Sequence, residues 1–196
     1  MVPRTPVPSL LVVAAFSRHV EALAWARKKL QDSFGPILRA SPEFSFHQTR
    51  YYEAEMGPDL KKQFLGFQNL VASDLLADFK LQTNRMEAEL AQSGTYAEVR
   101  PLNLDPGLLQ LGKFLLATTK DQAHRIYLRD GIYAEVTLRF QDKAFEPWPW
   151  TYADYREPEV RDFLKILRRD YRLQLGRFLA SSGEPPAISS SPEFPA

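Results

Sequence analysis

Apolar residues follow two rhythms along this chain. Leu10-Leu-Val-Val-Ala-Ala-Phe16 is an unbroken β-rich run, the pattern of a central strand covered on both faces. A helical pattern follows. Ser17 offers an N-cap, Val20, Leu23, Ala24, Leu30 and Phe34 form a stripe, and Gly35-Pro36 stops it. Glu43–Tyr52, aromatic and threonine-bearing, reads as a second strand that Gly57-Pro58 breaks. Leu60, Phe64, Phe67 and Leu70 then predict one helix. Ser73 or Asp74 caps the next, whose core face is Leu75, Leu76, Phe79, Met86 and Leu90, with Gly94 ending it. Tyr96–Leu104 reads as a strand that Pro101 assigns to an edge or a bulge. Lys113–Thr119 is another apolar strand.

The segment 124–140 is a hairpin whose register the side chains select. A two-residue Asp130-Gly131 turn mixes polar and apolar residues on both faces. A three-residue loop, Arg129-Asp130-Gly131 with Gly131 left-handed, pairs Leu128 with Ile132 and sorts them. Ile126, Leu128, Ile132, Ala134, Val136, Leu138 and Phe140 then share one face. Arg125, Tyr127, Tyr133, Glu135, Thr137 and Arg139 share the other, with Arg125 directly opposite Glu135.

A long helix runs from about Pro158 to Leu179, with Val160, Phe163, Leu164, Leu167, Tyr171, Leu175 and Phe178 on its apolar face. The elements predict a single α+β domain over residues 10–180: a mixed, largely antiparallel sheet with helices packed mainly on one face. Residues 1–9 form a flexible N-terminus. The Ser/Pro-rich stretch 181–196 has almost no core-forming residues and is expected to be disordered.

Composition narrows the function classes. With 25 basic and 24 acidic residues, the chain has no global field to attract nucleic acid or an anionic membrane. Cysteine is absent, which removes disulfides, thiolate catalysis and cysteine metal sites and suits a cytoplasmic protein. The run Leu10–Phe16 is too short to span a bilayer, and the proline-rich segment before it makes a poor signal peptide.

The candidate chemistry gathers between Asn103 and Arg139. In Asn103-Leu-Asp-Pro-Gly107, Pro106 forces Asp105 into an extended conformation, so its carboxylate is held rigidly to bind a metal or act as a base. The plainer reading of Asp105 is an N-cap for a short helix at 106–112, which can also border a site. In Thr118-Thr119-Lys120-Asp121, lysine beside hydroxyls after a strand can hold a phosphate; the plainer reading is a charged turn. No G-x-x-x-x-G-K-S/T loop accompanies it. Lys120, Arg125, Asn103 and Asp121 are the ligand-binding candidates, and Asp105, Glu135 and His124 the catalytic ones. His124 would be a packed core residue unless the strand begins after it and its ring turns to the edge. Glu53 and Glu55, with Asp105 nearby, are candidates for an oxygen-ligand Mg²⁺ site, against the commoner outcome of solvated loop acids. Lys80, Asn84 and Glu87 line one helix face. Trp148-Pro-Trp-Thr-Tyr152 with Tyr155 is a proline-stiffened aromatic loop that stacks a nucleobase or covers the end of the core. Arg161, Lys165, Arg168 and Arg172 read as a solvated basic stripe.

The motifs Y-Y-E-x-E-M-G from Tyr51, N-L-D-P-G from Asn103, T-K-D-x-x-H-R-I-Y-L from Thr119, G-I-Y-A-E-V-T-L from Gly131 and P-W-T-Y-x-D-Y-R from Pro149 occur together. In this combination the chain resembles an uncharacterised bacterial domain-of-unknown-function family, some of whose members are labelled GTP-binding. The resemblance runs from Leu10 to Leu175 and implies a family domain without implying catalytic residues.

Two functions follow from the residues. The first is a domain that binds or acts on an anionic, phosphorylated or nucleotide-like small molecule. Lys120 and Arg125 would hold the anion, Asp105 and Glu135 would manage a metal or proton, and the aromatic loop would close the site. The alternative is a non-enzymatic interaction domain whose polar cluster is an ion-pair network. A concave pocket containing Asp105, Lys120 and Glu135 favours the first, and a flat, fully paired surface the second.

Overall fold

The structure, a computed structural model, describes residues 5–45 and 53–182. In chain order the elements are β1 (Ser9–Ser17), α1 (Val20–Phe34), β2 (Ile37–Ala40), β3 (Phe44–Ser45), α2 (Glu53–Met56), β4 (Lys61–Val71), α3 (Leu76–Gln92), β5 (Asn103–Leu109), β6 (Lys113–Thr118), β7 (Ile126–Arg129), β8 (Ile132–Gln141), β9 (Ala144–Pro147) and α4 (Pro158–Ser182). The strands make one sheet in the order β2-β4-β1-β5-β6-β8-β7, with β3 pairing β4 and β9 pairing β8. Every pairing among the described residues is antiparallel.

β1 explains the layering. All of its residues are buried, as its unbroken apolar run requires. Leu11, Val13 and Ala15 point into the core beneath α1 and α3, while Leu10, Val12 and Ala14 point into the core beneath α4. The result is a single α+β domain, with two long helices on one face and α4 alone on the other. Each fully buried Leu, Val or Phe contributes roughly 1.5–3 kcal/mol, so these two cores carry most of the driving force. No helix among the described residues is long and apolar enough to cross a membrane.

Several elements differ from the sequence pattern. Leu60 to Leu70 lies mostly in strand β4 and is not a helix. Phe64 and Phe67 are both buried, but on opposite faces. A strand covered on both sides has no polar alternation, so its apolar spacing imitates a helical stripe. Gly66 at its middle lets α4 approach: a Cβ there would lie 2.6 Å from Leu167 Cδ2. The strand expected at Tyr96–Leu104 is instead β5, Asn103–Leu109, and Asp105-Pro106 lies inside it. Asp105 is therefore not the cap of a helix at 106–112. Pro106 pairs with Val13 of β1. Gly107 is required by proximity, since a Cβ would meet the Leu115 carbonyl oxygen at 2.4 Å.

Helix ends and faces also shift. Ser17 does not cap α1; its hydroxyl donates to the Pro101 carbonyl at 2.6 Å and accepts from the His19 N–H. α1 buries Ala22, Leu23, Ala26 and Leu30, whereas Val20 and Ala24 are exposed. Ser73 and Asp74 do not cap α3 but form a 3-10 turn with Leu75, which is exposed. Of the strand expected over Glu43–Tyr52, Phe44–Ser45 is strand and 46–52 lie outside the described residues. α4 buries Leu179 and exposes Phe178. It continues through Ser182, so the expected irregular tail begins no earlier than residue 183, and 183–196 lie outside the described residues. The basic stripe on α4 is partly engaged: Arg168 sits 3.5 Å over the Phe140 ring and donates from Nε to the Leu111 carbonyl.

The hairpin has the expected inner register with a different turn. Arg129 pairs with Ile132 across a two-residue Asp130-Gly131 turn, both residues at positive φ. The three-residue loop is therefore wrong. Leu128 is extra on β7, a bulge that restores the pairs Tyr127 with Tyr133 and Ile126 with Ala134. A second bulge at Thr137, where Leu138 pairs Phe114 and Val136 pairs Leu115, turns Leu138 to the α4 side while Ile132 stays beneath α3. The single apolar face of β8 therefore divides in two. Ile126, Tyr127 and Leu128 of the edge strand β7 are exposed.

Candidate functional site

The β5–β6 ladder runs only from Gly107 to Leu109. It stops beside Pro106, which has no N–H to extend it. Beyond that point the two strands are not paired with each other, and a cavity of about 360 Å³ opens between them. Phe16 at the end of β1 and Lys62 on β4 form one side, Leu116 to Lys120 the other, and Tyr152 to Tyr155 cover it.

Three of the four residues expected around a common cavity line it: Asp105, Lys120 and Glu135. Arg125 stands just behind, donating from Nε to Glu135 at 2.9 Å. The expected cross-strand pair is present, and both side chains are almost fully buried although they belong to the polar face of the hairpin pattern. Arg125 also donates to the Lys120 carbonyl at 2.9 Å and to the Tyr152 hydroxyl at 2.5 Å, tying the rim turn to the covering loop. β7 begins after His124, whose ring turns to the edge, stacks on Trp150 and places Nε2 at 3.2 Å from Glu135.

Asp105 is the best-anchored acid. Lys80 reaches it from α3 at 3.2 Å and also donates to the Leu104 carbonyl, and Asn103 donates to its other oxygen at 2.8 Å. Burial pushes the Asp105 carboxyl up, but Lys80, Lys62 and Arg100 together hold it below the usual aspartate range. Glu87, about two turns along α3 from Lys80, accepts the Leu104 N–H at 2.7 Å; its burial outweighs Lys80 and Arg100 and raises its carboxyl. The polar flank Lys80–Glu87 is therefore the support of β5, and Lys80 is buried.

Other sequence candidates lie apart. Asp121 is exposed and does not line the cavity. Glu53 and Glu55 sit on α2, where Glu55 ion-pairs with Arg100 at 3.7 Å, and neither lines the cavity. Among the described residues no group of three His, Asp or Glu side chains is placed to hold a metal ion.

Lining residues that the sequence pattern does not single out include Lys62, Arg100 and Asp154, and Tyr155 enters it only as part of the aromatic loop. Lys62 is buried, ion-paired with Asp154, and its ammonium lies 4.8 Å from the centre of the Tyr155 ring. It was hidden because β4 reads as a helix. Asp154 and Tyr155 were in view within P-W-T-Y-x-D-Y-R, where the aromatics drew attention away from the acid. The Tyr155 hydroxyl is buried and has no hydrogen-bond partner among the described residues. Burial, then Asp154 and Asp105, push this phenol well above its ordinary range. The aromatic loop is fixed by the carbonyls at the β8 bulge: Trp150 Nε1 donates to Val136 and the Thr151 hydroxyl to Thr137. Arg156 clamps it from behind through the carbonyls of Thr151, Trp148 and Pro149.

Fold and site together define an α+β domain with a charge-lined cavity where two central strands part. The chain belongs to the family described as a domain of unknown function (DUF4416), whose profile matches residues 7–171. No curated protein and no solved structure matches it.

Proposed function

We propose that the cavity binds an anionic small molecule, phosphorylated or nucleotide-like, and that this is the function of the domain. The carrying observation is that Lys62, Lys80, Arg100 and Lys120 converge on one concave space together with Asp105, Glu135 and Asp154. A concave site of this size with a few convergent charged groups is where a ligand gains most from desolvation and charge-assisted hydrogen bonds. Lys120 stands exposed on the rim, placed to meet an arriving anion, while Asp105 and Glu135 supply ionised or proton-accepting groups further in. The aromatic loop closes one side.

The exposed Ile126, Tyr127 and Leu128 on the edge strand favour a second reading, a protein-interaction domain in which the charges are structural. Thermal shift separates the two. Phosphate esters at a hundredfold excess over their Kd raise stability by about 2.7 kcal/mol, a rise in Tm of several degrees. Lys120→Ala should fold normally and lose most of that response. An equal response in the variant places the anion elsewhere and promotes the interaction reading.

A further inference from the structure

We propose that the outer face of α4 is a docking surface for an anionic lipid membrane. Its basic side chains meet the charged headgroups, and Ile166 and Leu173 enter between them. This surface is independent of the cavity, and the two readings can fail separately.

Charge is the first reason. α4 carries six basic and three acidic residues in a chain whose net charge is +1. Lys165, Arg169, Arg172 and Arg177 are all exposed. At about 100° per residue they fall, with Ile166 and Leu173, within an arc of roughly 140° on the side away from the sheet. Asp162 stands at the N-terminal end of that arc. Asp170, at its edge, is taken up by two hydrogen bonds from Arg39. Among the described residues no carboxylate pairs with the four basic side chains. Lys165 with Arg169, and Arg168 with Arg172, are like charges at i,i+4, a spacing that costs helix stability. An anionic partner turns that cost into attraction. The small net charge of the chain does not oppose this, since charges more than about 8–10 Å from the contact are largely screened at physiological salt.

Shape and apolar content say which anion. Leu173 is 60% and Ile166 41% exposed, in the middle of the basic face. Against a nucleic acid, exposed aromatic rings would add stacking on bases, and none of the six residues on this arc is aromatic. At a membrane, aliphatic side chains add apolar area buried among the headgroups while neighbouring basic groups answer the anionic lipid. α4 is also the only long helix on its face of the sheet. Its outer side is therefore a ridge that a plane can touch from Lys165 to Arg177, a length of about 18 Å. A second copy is a poor occupant, because pairing α4 with its twin sets the same basic residues against one another. The helix is not apolar enough to cross a bilayer, so the contact is peripheral.

Cosedimentation of the full chain with lipid vesicles tests this directly. Vesicles of phosphatidylcholine with about 30% phosphatidylserine should bind the chain about tenfold or more tightly than pure phosphatidylcholine at about 0.05 M salt. Raising the salt to about 0.5 M should release it. The double variant Arg169→Gln, Arg172→Gln removes exposed, unpaired charges, so it should fold with an unchanged or higher Tm. Each basic residue at an anionic surface adds about fivefold in affinity, so this variant should bind the anionic vesicles about twentyfold or more weakly. Leu173→Ser should fold as well and bind them several-fold more weakly. No binding to the anionic vesicles, or equal binding to both kinds, overturns the proposal. So does unchanged affinity in the double variant or in Leu173→Ser. Single-stranded or duplex DNA held more tightly than the anionic vesicles at the same salt overturns it in favour of nucleic acid. Phosphate esters raising the Tm of the same protein, or failing to, bears only on the cavity.

Discussion

Two neighbouring regions on the same side of the sheet are held by opposite means. Beneath α4, Leu164, Leu167 and Tyr171 pack on Phe64 and the β1 side chains, and Gly66 gives up its side chain so that the helix can come close. A few residues further along the same strands, Lys62, Asp105, Glu135 and Asp154 occupy interior positions, each with a charged partner. The first region is made stable by removing apolar surface from water. The second spends stability on desolvated charges, and an apolar filling would have served the fold as well or better. That cost, carried beside an open cavity, is what supports the proposed ligand site.

The comparison can be broken most sharply at Asp154. Asp154→Ala leaves Lys62 buried without its carboxylate and should cost about 3–5 kcal/mol in urea unfolding. Combining Lys62→Met with Asp154→Leu should recover most or all of that loss, while the cavity loses its ligand response. If the double variant stays as unstable as the single one, the pair is needed for the fold itself. Leu167→Ala, on the apolar side, should cost about 2–5 kcal/mol, with ligand response preserved once the variant is folded.

A pH titration gives the next, smaller effect. Because the Asp105 carboxyl is lowered in the folded protein, it contributes stability above its unfolded value, at about pH 4, and loses that contribution as pH falls through the folded value. Asp105→Asn should therefore be less stable than the wild type at neutral pH, and the difference should shrink on acidification below about pH 4. A gap that stays constant down to strong acid would mean that the carboxylate charge is not what holds β5. Lys120→Ala is the smallest perturbation: exposed on the rim, it should change stability by no more than about 0.5 kcal/mol.

The legibility of the two regions differs for the same physical reason. Periodicity reports burial of apolar side chains, so β1, α3 and α4 were readable, and so was the pairing of Arg125 with Glu135. It fails where a strand is covered on both faces, which turned β4 into a helix and concealed Lys62. It also cannot place bulges: the sequence pattern puts Arg129 in the turn and pairs Leu128 with Ile132, whereas Arg129 takes that pairing and Leu128 is the extra residue, and the bulge at Thr137 has no local signal. Asp105 was singled out from its proline neighbour, but its position inside a strand came from pairing with β1, a contact between residues far apart in sequence. Tyr155 was legible as part of a loop covering the core, but Asp154 beside it had no local signal of burial.

Native mass spectrometry of the purified chain titrated with phosphate esters tests the central claim most directly. The account predicts a mass increment of one ligand per chain for at least one ester, and its loss in Lys120→Ala and in the Lys62→Met, Asp154→Leu double variant. A chain that takes up no ester at millimolar concentration, or takes it up equally in all three proteins, contradicts the account.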